Sequence, residues 1–160
     1  MINIITGNIN SGKTTRLLCI YNAKQQGDGF YSPKIFIDGH YAGQEVVRLS
    51  TEERKLFSFK KGFIPEGWDE QYYYHSYSFS NNGFLFVRNI VLDIMQNNIE
   101  PIYVDEIGPL ELNEQGFYNI LNLLLKTDKD MYITVRESCI KDVIKKFRLS
   151  DCNIIFSTTC

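Results

Sequence analysis

The chain is poor in several things that would have set its class at once. Basic residues are not in surplus: 17 Lys and Arg stand against 19 Asp and Glu, for a net charge of -2. That excludes a broad positive surface tracking a nucleic-acid backbone, and the pairs Lys60-Lys61 and Lys145-Lys146 read as solvated faces. No apolar run is long enough to cross a bilayer. Met1 leads straight into INIIT, without the basic stretch and small-residue cleavage site of a signal peptide, so no membrane association is expected. The cysteines are four, Cys19, Cys139, Cys152 and Cys160, with no CxxC, and neither His40 nor His75 stands at ligand spacing from them. A zinc site is thereby excluded, and reduced thiols in a cytoplasmic protein are expected, with Cys19 a small core residue. Only four prolines occur, and no stretch rich in Pro, Gly or Ser marks a linker. At 160 residues the expectation is one domain over 1–160, working as a monomer.

What is present is an alternation of strand and helix signals. Ile2–Thr6 is a β-branched run that enters a Gly-bounded loop and then a helix over about 13–26. Lys34–Ile37 and Tyr41–Leu49 flank Asp38-Gly39, a pair suited to the positive φ angles of a tight hairpin turn. Tyr72–Phe79 alternates large and small residues and reads as one half-buried strand. Asn82–Asn97 is an apolar helix, Pro101–Asp105 a strand, and Phe117, Ile120, Leu121, Leu124 and Leu125 recur at helical spacing. Met131–Val135 is a strand, Ile140, Val143, Ile144 and Phe147 mark a helix, and Asn153–Phe156 a last strand. Such alternation predicts an α/β three-layer fold, a mainly parallel sheet between helices. An antiparallel β section, about 29–80, is inserted after the first helix.

Gly7-Asn8-Ile9-Asn10-Ser11-Gly12-Lys13-Thr14 matches GxxxxGK[ST] between a predicted strand and a predicted helix, which is the context a phosphate loop (P-loop) requires. The glycines let the backbone curl so that successive N–H groups point at phosphates. The helix start adds its dipole and unpaired amides. Lys13 reaches the β- and γ-phosphates, and the Thr14 hydroxyl ligates Mg²⁺. Thr15 follows at the α-phosphate side.

The strand Pro101–Asp105 ends in two carboxylates. An Asp there, Asp105, is placed to hold Mg²⁺, and Glu106 to orient and deprotonate an attacking water. Acidic pairs also end strands as plain solvated turns; the full phosphate loop favours the functional pair.

GNINSGKTT, GFYSP and YVDEIGPLEL together resemble the THEP-type nucleoside-triphosphatase family, small P-loop enzymes; DEIGPLEL at Asp105–Leu112 is the most discriminating string. The resemblance covers most of the chain, with 51–74 divergent. It implies slow Mg-dependent hydrolysis of ATP, GTP and other triphosphates to diphosphate and phosphate. Gly7 to Thr14 would be the triphosphate loop and Ile102 to Pro109, including Val104, Ile107 and Gly108, the second nucleotide-proximal segment. The loop interior Asn8-Ile9-Asn10-Ser11 departs from the Pro and Gly common in the family.

Other residues carry two readings each. Arg136, after its strand, is an arginine finger that neutralises transition-state charge or a surface Arg at a strand end. Thr134 and Glu137 are phosphate-sensing neighbours or bystanders. Glu111 bonds the loop backbone or takes part in chemistry. The Tyr72–Phe79 aromatics stack a base or pack on a strand, and Arg16 faces nucleotide or solvent. Against hydrolysis stand a P-loop kinase passing the γ-phosphoryl group to another nucleotide or metabolite, and a nucleotide-dependent switch. The arginines are spread singly rather than clustered on a lid, and Glu106 favours water as nucleophile.

Overall fold

The computed structural model describes residues 1–157. In chain order, β1 (Ile2–Gly7) runs into a loop and α1 (Lys13–Lys24), followed by β2 (Asp28–Tyr31). Five strands come next: β3 (Lys34–Ile37), β4 (His40–Arg48), β5 (Arg54–Lys60), β6 (Glu70–Tyr74) and β7 (Tyr77–Ser80). The second half is α2 (Asn81–Gln96), β8 (Ile102–Ile107), α3 (Pro109–Leu112), α4 (Tyr118–Leu124), β9 (Met131–Arg136), α5 (Ile140–Phe147) and β10 (Cys152–Phe156).

One sheet runs through the molecule in the order β10-β1-β9-β8-β2-β4-β5-β7-β6, with β3 paired to β4. The first five strands are mutually parallel, and the rest are antiparallel. Alternation along each parallel strand decides which helix it meets. Ile5 and Tyr103 pack with Leu17, Leu18 and Tyr21 of α1 on one face. Ile4, Ile102 and Val104 pack with Val87, Ile90 and Ile94 of α2, Leu121 of α4 and Val143 of α5 on the other. Both faces are covered, which is why these strands are near-continuous apolar runs. The three-layer α/β architecture expected from the sequence is the one observed.

The helix limits follow local chemistry. Ser80 caps α2, its hydroxyl accepting from Gly83 N–H at 2.9 Å. Asp38 and Gly39 turn the β3–β4 hairpin at φ 49° and 79°, as the Asp-Gly pair predicts.

Three expectations change. The antiparallel section begins at Lys34 rather than Gly29, because Asp28–Tyr31 pairs in parallel with β8; four residues are too few for periodicity to show. Tyr72–Phe79 is not one strand but the hairpin β6–β7, turning at His75, which adopts φ 53°. No Gly or Asn marks that turn. Cys19 is half-buried on α1 and disulfide-bonded, so reduced thiols fail there; Cys139 and Cys152 are free, and Cys160 lies outside the described residues. Among the described residues no helix is long and apolar enough to cross a membrane.

Candidate nucleotide site

The five parallel strands deliver their C-terminal ends to one edge of the sheet, the edge where open α/β sheets bind ligands. Gly7 leaves β1 there, and register sets it beside Arg136 at the end of β9. The loop that follows turns tightly, with Ser11 N–H donating to the Asn8 carbonyl at 3.1 Å. Gly12 sits at φ 83°, a left-handed conformation that a side chain would strain. At Gly7 the space is taken by two side chains: a Cβ there would come within 2.1 Å of Ser157 Oγ and 2.3 Å of Ser11 Oγ, so both hydroxyls would have to turn away. Those hydroxyls bond one another at 2.6 Å, tying the loop to the chain beyond β10.

Lys13 is buried, its ammonium donating to the carbonyls of Asn8 at 3.0 Å and Gly7 at 3.3 Å. The side chain thus arches over the loop that it would share with phosphates. Thr14, on the first turn of α1, donates its hydroxyl to Asp105 Oδ2 at 3.0 Å. The two motifs, 91 residues apart in sequence, meet through this contact.

Asp105 is 1% exposed. Besides Thr14 it accepts from the Thr134 hydroxyl and from Ser32 N–H at 3.1 Å, while the Ser32 hydroxyl donates to the Asp105 carbonyl at 2.8 Å. Burial pushes its pKa up; the donors Thr134, Ser32 and Thr14 oppose that, and neighbouring Glu106 adds to it. A buried carboxylate beside a hydroxyl is a hard-oxygen pair of the kind Mg²⁺ takes, with remaining positions left to waters and phosphates. Thr14 and Asp105 therefore fit the ion.

Glu106 is about a third exposed and lies 3.6 Å from Arg136 Nε. That separation is an ion pair but not a hydrogen bond, and Arg136 Nε is buried with no hydrogen-bond partner among the described residues. The same holds for Arg16 Nε. Tyr41 of β4 lies in the field of both Glu106 and Arg136; burial first, then Tyr77 and Glu106, push its pKa up to about 12, with Arg136 opposing.

Of Glu111's two readings the structure supports the backbone one. It is buried, accepting from Gly108 N–H and Phe117 N–H at 2.8 Å each, which ties the turn after β8 to the start of α4. The Tyr72, Tyr77 and Phe79 rings pack with neighbouring aromatics, as the strand reading has it. Thr134, read as a phosphate-sensing neighbour, serves Asp105 instead. Ser32 escaped sequence reading altogether, although it lies in the quoted GFYSP string; its proximity to Asp105 depends on β2 pairing with β8. Lys34 escaped for the same reason, its ammonium donating to Asn10 Oδ1.

The chain is similar to known proteins in sequence and in fold. The chain is 28% identical over 141 residues to a nucleoside-triphosphatase THEP1 of Thermotoga petrophila, covering 84% of this chain and 72% of that one. A nucleoside-triphosphatase THEP1 of Saccharolobus solfataricus is 26% identical over 133 residues, covering 79% and 71%. In fold, the chain resembles the crystal structure of THEP1 from Aquifex aeolicus with a TM-score of 0.74 at 22% identity, over 99% of this chain and 90% of that one. It also resembles the solution structure of a human cancer-related nucleoside triphosphatase, TM-score 0.65 at 18% identity, over 96% and 87%. The model of the NTPase family matches residues 3–159, phosphate loop and carboxylate turn included, and the chain belongs to that family.

Proposed function

We propose that this protein hydrolyses nucleoside triphosphates to diphosphate and phosphate, with Gly7–Thr14 as the triphosphate loop. The observation that carries the reading is the 3.0 Å contact of Thr14 with buried Asp105, with Glu106 next in the chain. The shared name of the relatives, nucleoside-triphosphatase, specifies no base, and that breadth is carried over to this chain.

The loop amides of 8–14 and Lys13 hold the β- and γ-phosphates, and Thr15 stands on the α-phosphate side. Thr14 and Asp105 would hold Mg²⁺, which when bound would supply positive charge to offset that of the triphosphate. Glu106 accepts a proton from water as the water oxygen bonds to the γ-phosphorus. The bond from that phosphorus to the β–γ bridging oxygen breaks, and its electron pair leaves with the diphosphate. Arg136, beside Gly7 in strand register and with its Nε in an ion pair with Glu106, stabilises charge as the phosphoryl group passes to water. Val104 and Ile107 pack the strand from which the acidic pair emerges, and Gly108 N–H fixes the turn through Glu111.

The test is phosphate release from ATP, GTP, CTP and UTP with and without Mg²⁺, for the wild type and Glu106→Gln. Turnover of all four with Mg²⁺ is expected, and a loss of about 10²-fold or more in the variant with triphosphate binding retained. Loss of binding in Glu106→Gln would make that residue a ligand rather than the base.

A further inference from the structure

We propose that Lys34 is a second lysine for the triphosphate, with its ammonium contacting the terminal phosphate from the outer side of the loop. This rests on the nucleotide reading of Gly7–Thr14 and adds to it a residue outside both sequence motifs.

The backbone of Lys34 is held in place from the carboxylate side of the site. Two residues before it, Ser32 is fixed to Asp105 by its N–H at 3.1 Å and its hydroxyl at 2.8 Å. Between them Pro33 has a restricted φ, and its carbonyl accepts from Glu45 N–H at 3.0 Å. β3 therefore starts from a point anchored to the residue assigned to the metal. The side chain then reaches toward the phosphate loop. Its ammonium donates to Asn10 Oδ1 and stands 5.8 Å from the centroid of the Tyr41 ring, within cation–π range. Asn10, at φ 61°, is a left-handed residue within the loop. No carboxylate pairs with Lys34 among the described residues.

Sheet order decides which phosphate this charge serves. β8 and β2 lie on the same side of β1, and they carry Asp105, Glu106 and the start of the hairpin. Water activated by Glu106 attacks the terminal phosphorus, so the terminal phosphate is the one facing that side. Tyr41, which supports Lys34, lies in the field of Glu106 as well. Lys13, buried and bonded to Gly7 and Asn8 carbonyls, approaches from within the loop; Lys34, exposed, approaches from the hairpin. A mere latch between hairpin and loop would instead use the Asn10 bond equally for every nucleotide.

The measurement is equilibrium binding of Mg-ADP and of the Mg complex of the β,γ-imido analogue of ATP to the full chain, for the wild type, Lys34→Ala and Lys34→Arg. Thermal melting of each variant is recorded in parallel; because the side chain is exposed, the melts should match. The expected result for Lys34→Ala is analogue binding weaker by about tenfold or more, the worth of one hydrogen bond to a charged group, with ADP binding changed less than about twofold. Lys34→Arg should recover most of the loss. Equal weakening for both nucleotides would make Lys34 a latch, and no weakening of either would make it a surface lysine; each overturns the proposal while leaving the phosphate loop standing. A wild type that binds neither nucleotide overturns the nucleotide reading itself.

Discussion

The parallel strands and their antiparallel extension share one sheet but bury different chemistry. The parallel part and its loops bury Thr6, Lys13, Asp28, Ser32, Asp105, Glu111 and Thr134. The extension buries hydroxyls alone, Ser58, Ser78 and Ser80, beneath a cluster of rings in which Phe57 stacks on Phe117 at 5.1 Å and meets Phe84 at 4.9 Å. Burying a charge is costly unless donors meet it; the parallel part and its loops supply those of Asp105, and Arg48 and Ser50 reach Asp28 from the end of β4. Asp105 has three residues around it, and Asp28 accepts from Arg48, Ser50 and Gly29 N–H. The difference separates a region organised to hold charge from one organised to hold shape.

Substitutions in the two regions should therefore fail in different assays. Lys13→Ala is expected to cut phosphate release by at least about 10³-fold, since it removes the charge assigned to the β- and γ-phosphates; unchanged release would remove the assigned site. Phe57→Ala, in the extension, should lower stability by about 3–5 kcal/mol, as large-to-small core changes do. Urea unfolding reads that loss, while kcat of the folded fraction should stay within about twofold. If kcat falls in step with stability, the extension belongs to the catalytic machinery and the comparison breaks.

Glu111 gives a third contrast, in pH. Burial raises its pKa to about 7 in the folded state, against the lowering effect of the Phe117 and Gly108 N–H groups. The folded protein then binds more protons than the unfolded chain between about pH 4.5 and 7, so this group's contribution to stability falls as pH rises through that window. The full change is about 3 kcal/mol. Denaturant midpoints taken across the window should carry this slope, and Glu111→Gln should flatten it. An unchanged slope in the variant would assign it to another group.

Much of the site was legible before the fold. A Gly-rich octapeptide between strand and helix signals, and an acidic pair at the end of an apolar run, each state their chemistry locally. Ser32 and Lys34 were not legible, because their roles depend on β2 pairing with β8, a non-local event that a four-residue strand does not announce. The His75 turn was missed because a non-Gly residue takes positive φ there. At Gly7, expected for its flexibility, a side chain would also displace the bonded hydroxyls of Ser11 and Ser157.

The sequence by itself determined the phosphate loop, the carboxylate pair and the strand–helix alternation, because each is written in contiguous residues whose spacing matches backbone periodicity. Only the tertiary structure decided that Thr14 touches Asp105, that Glu111 serves the backbone, and that a lysine from the hairpin reaches the loop. Those facts rest on strand order and register, which bring distant residues within hydrogen-bond distance, and no local pattern encodes that proximity.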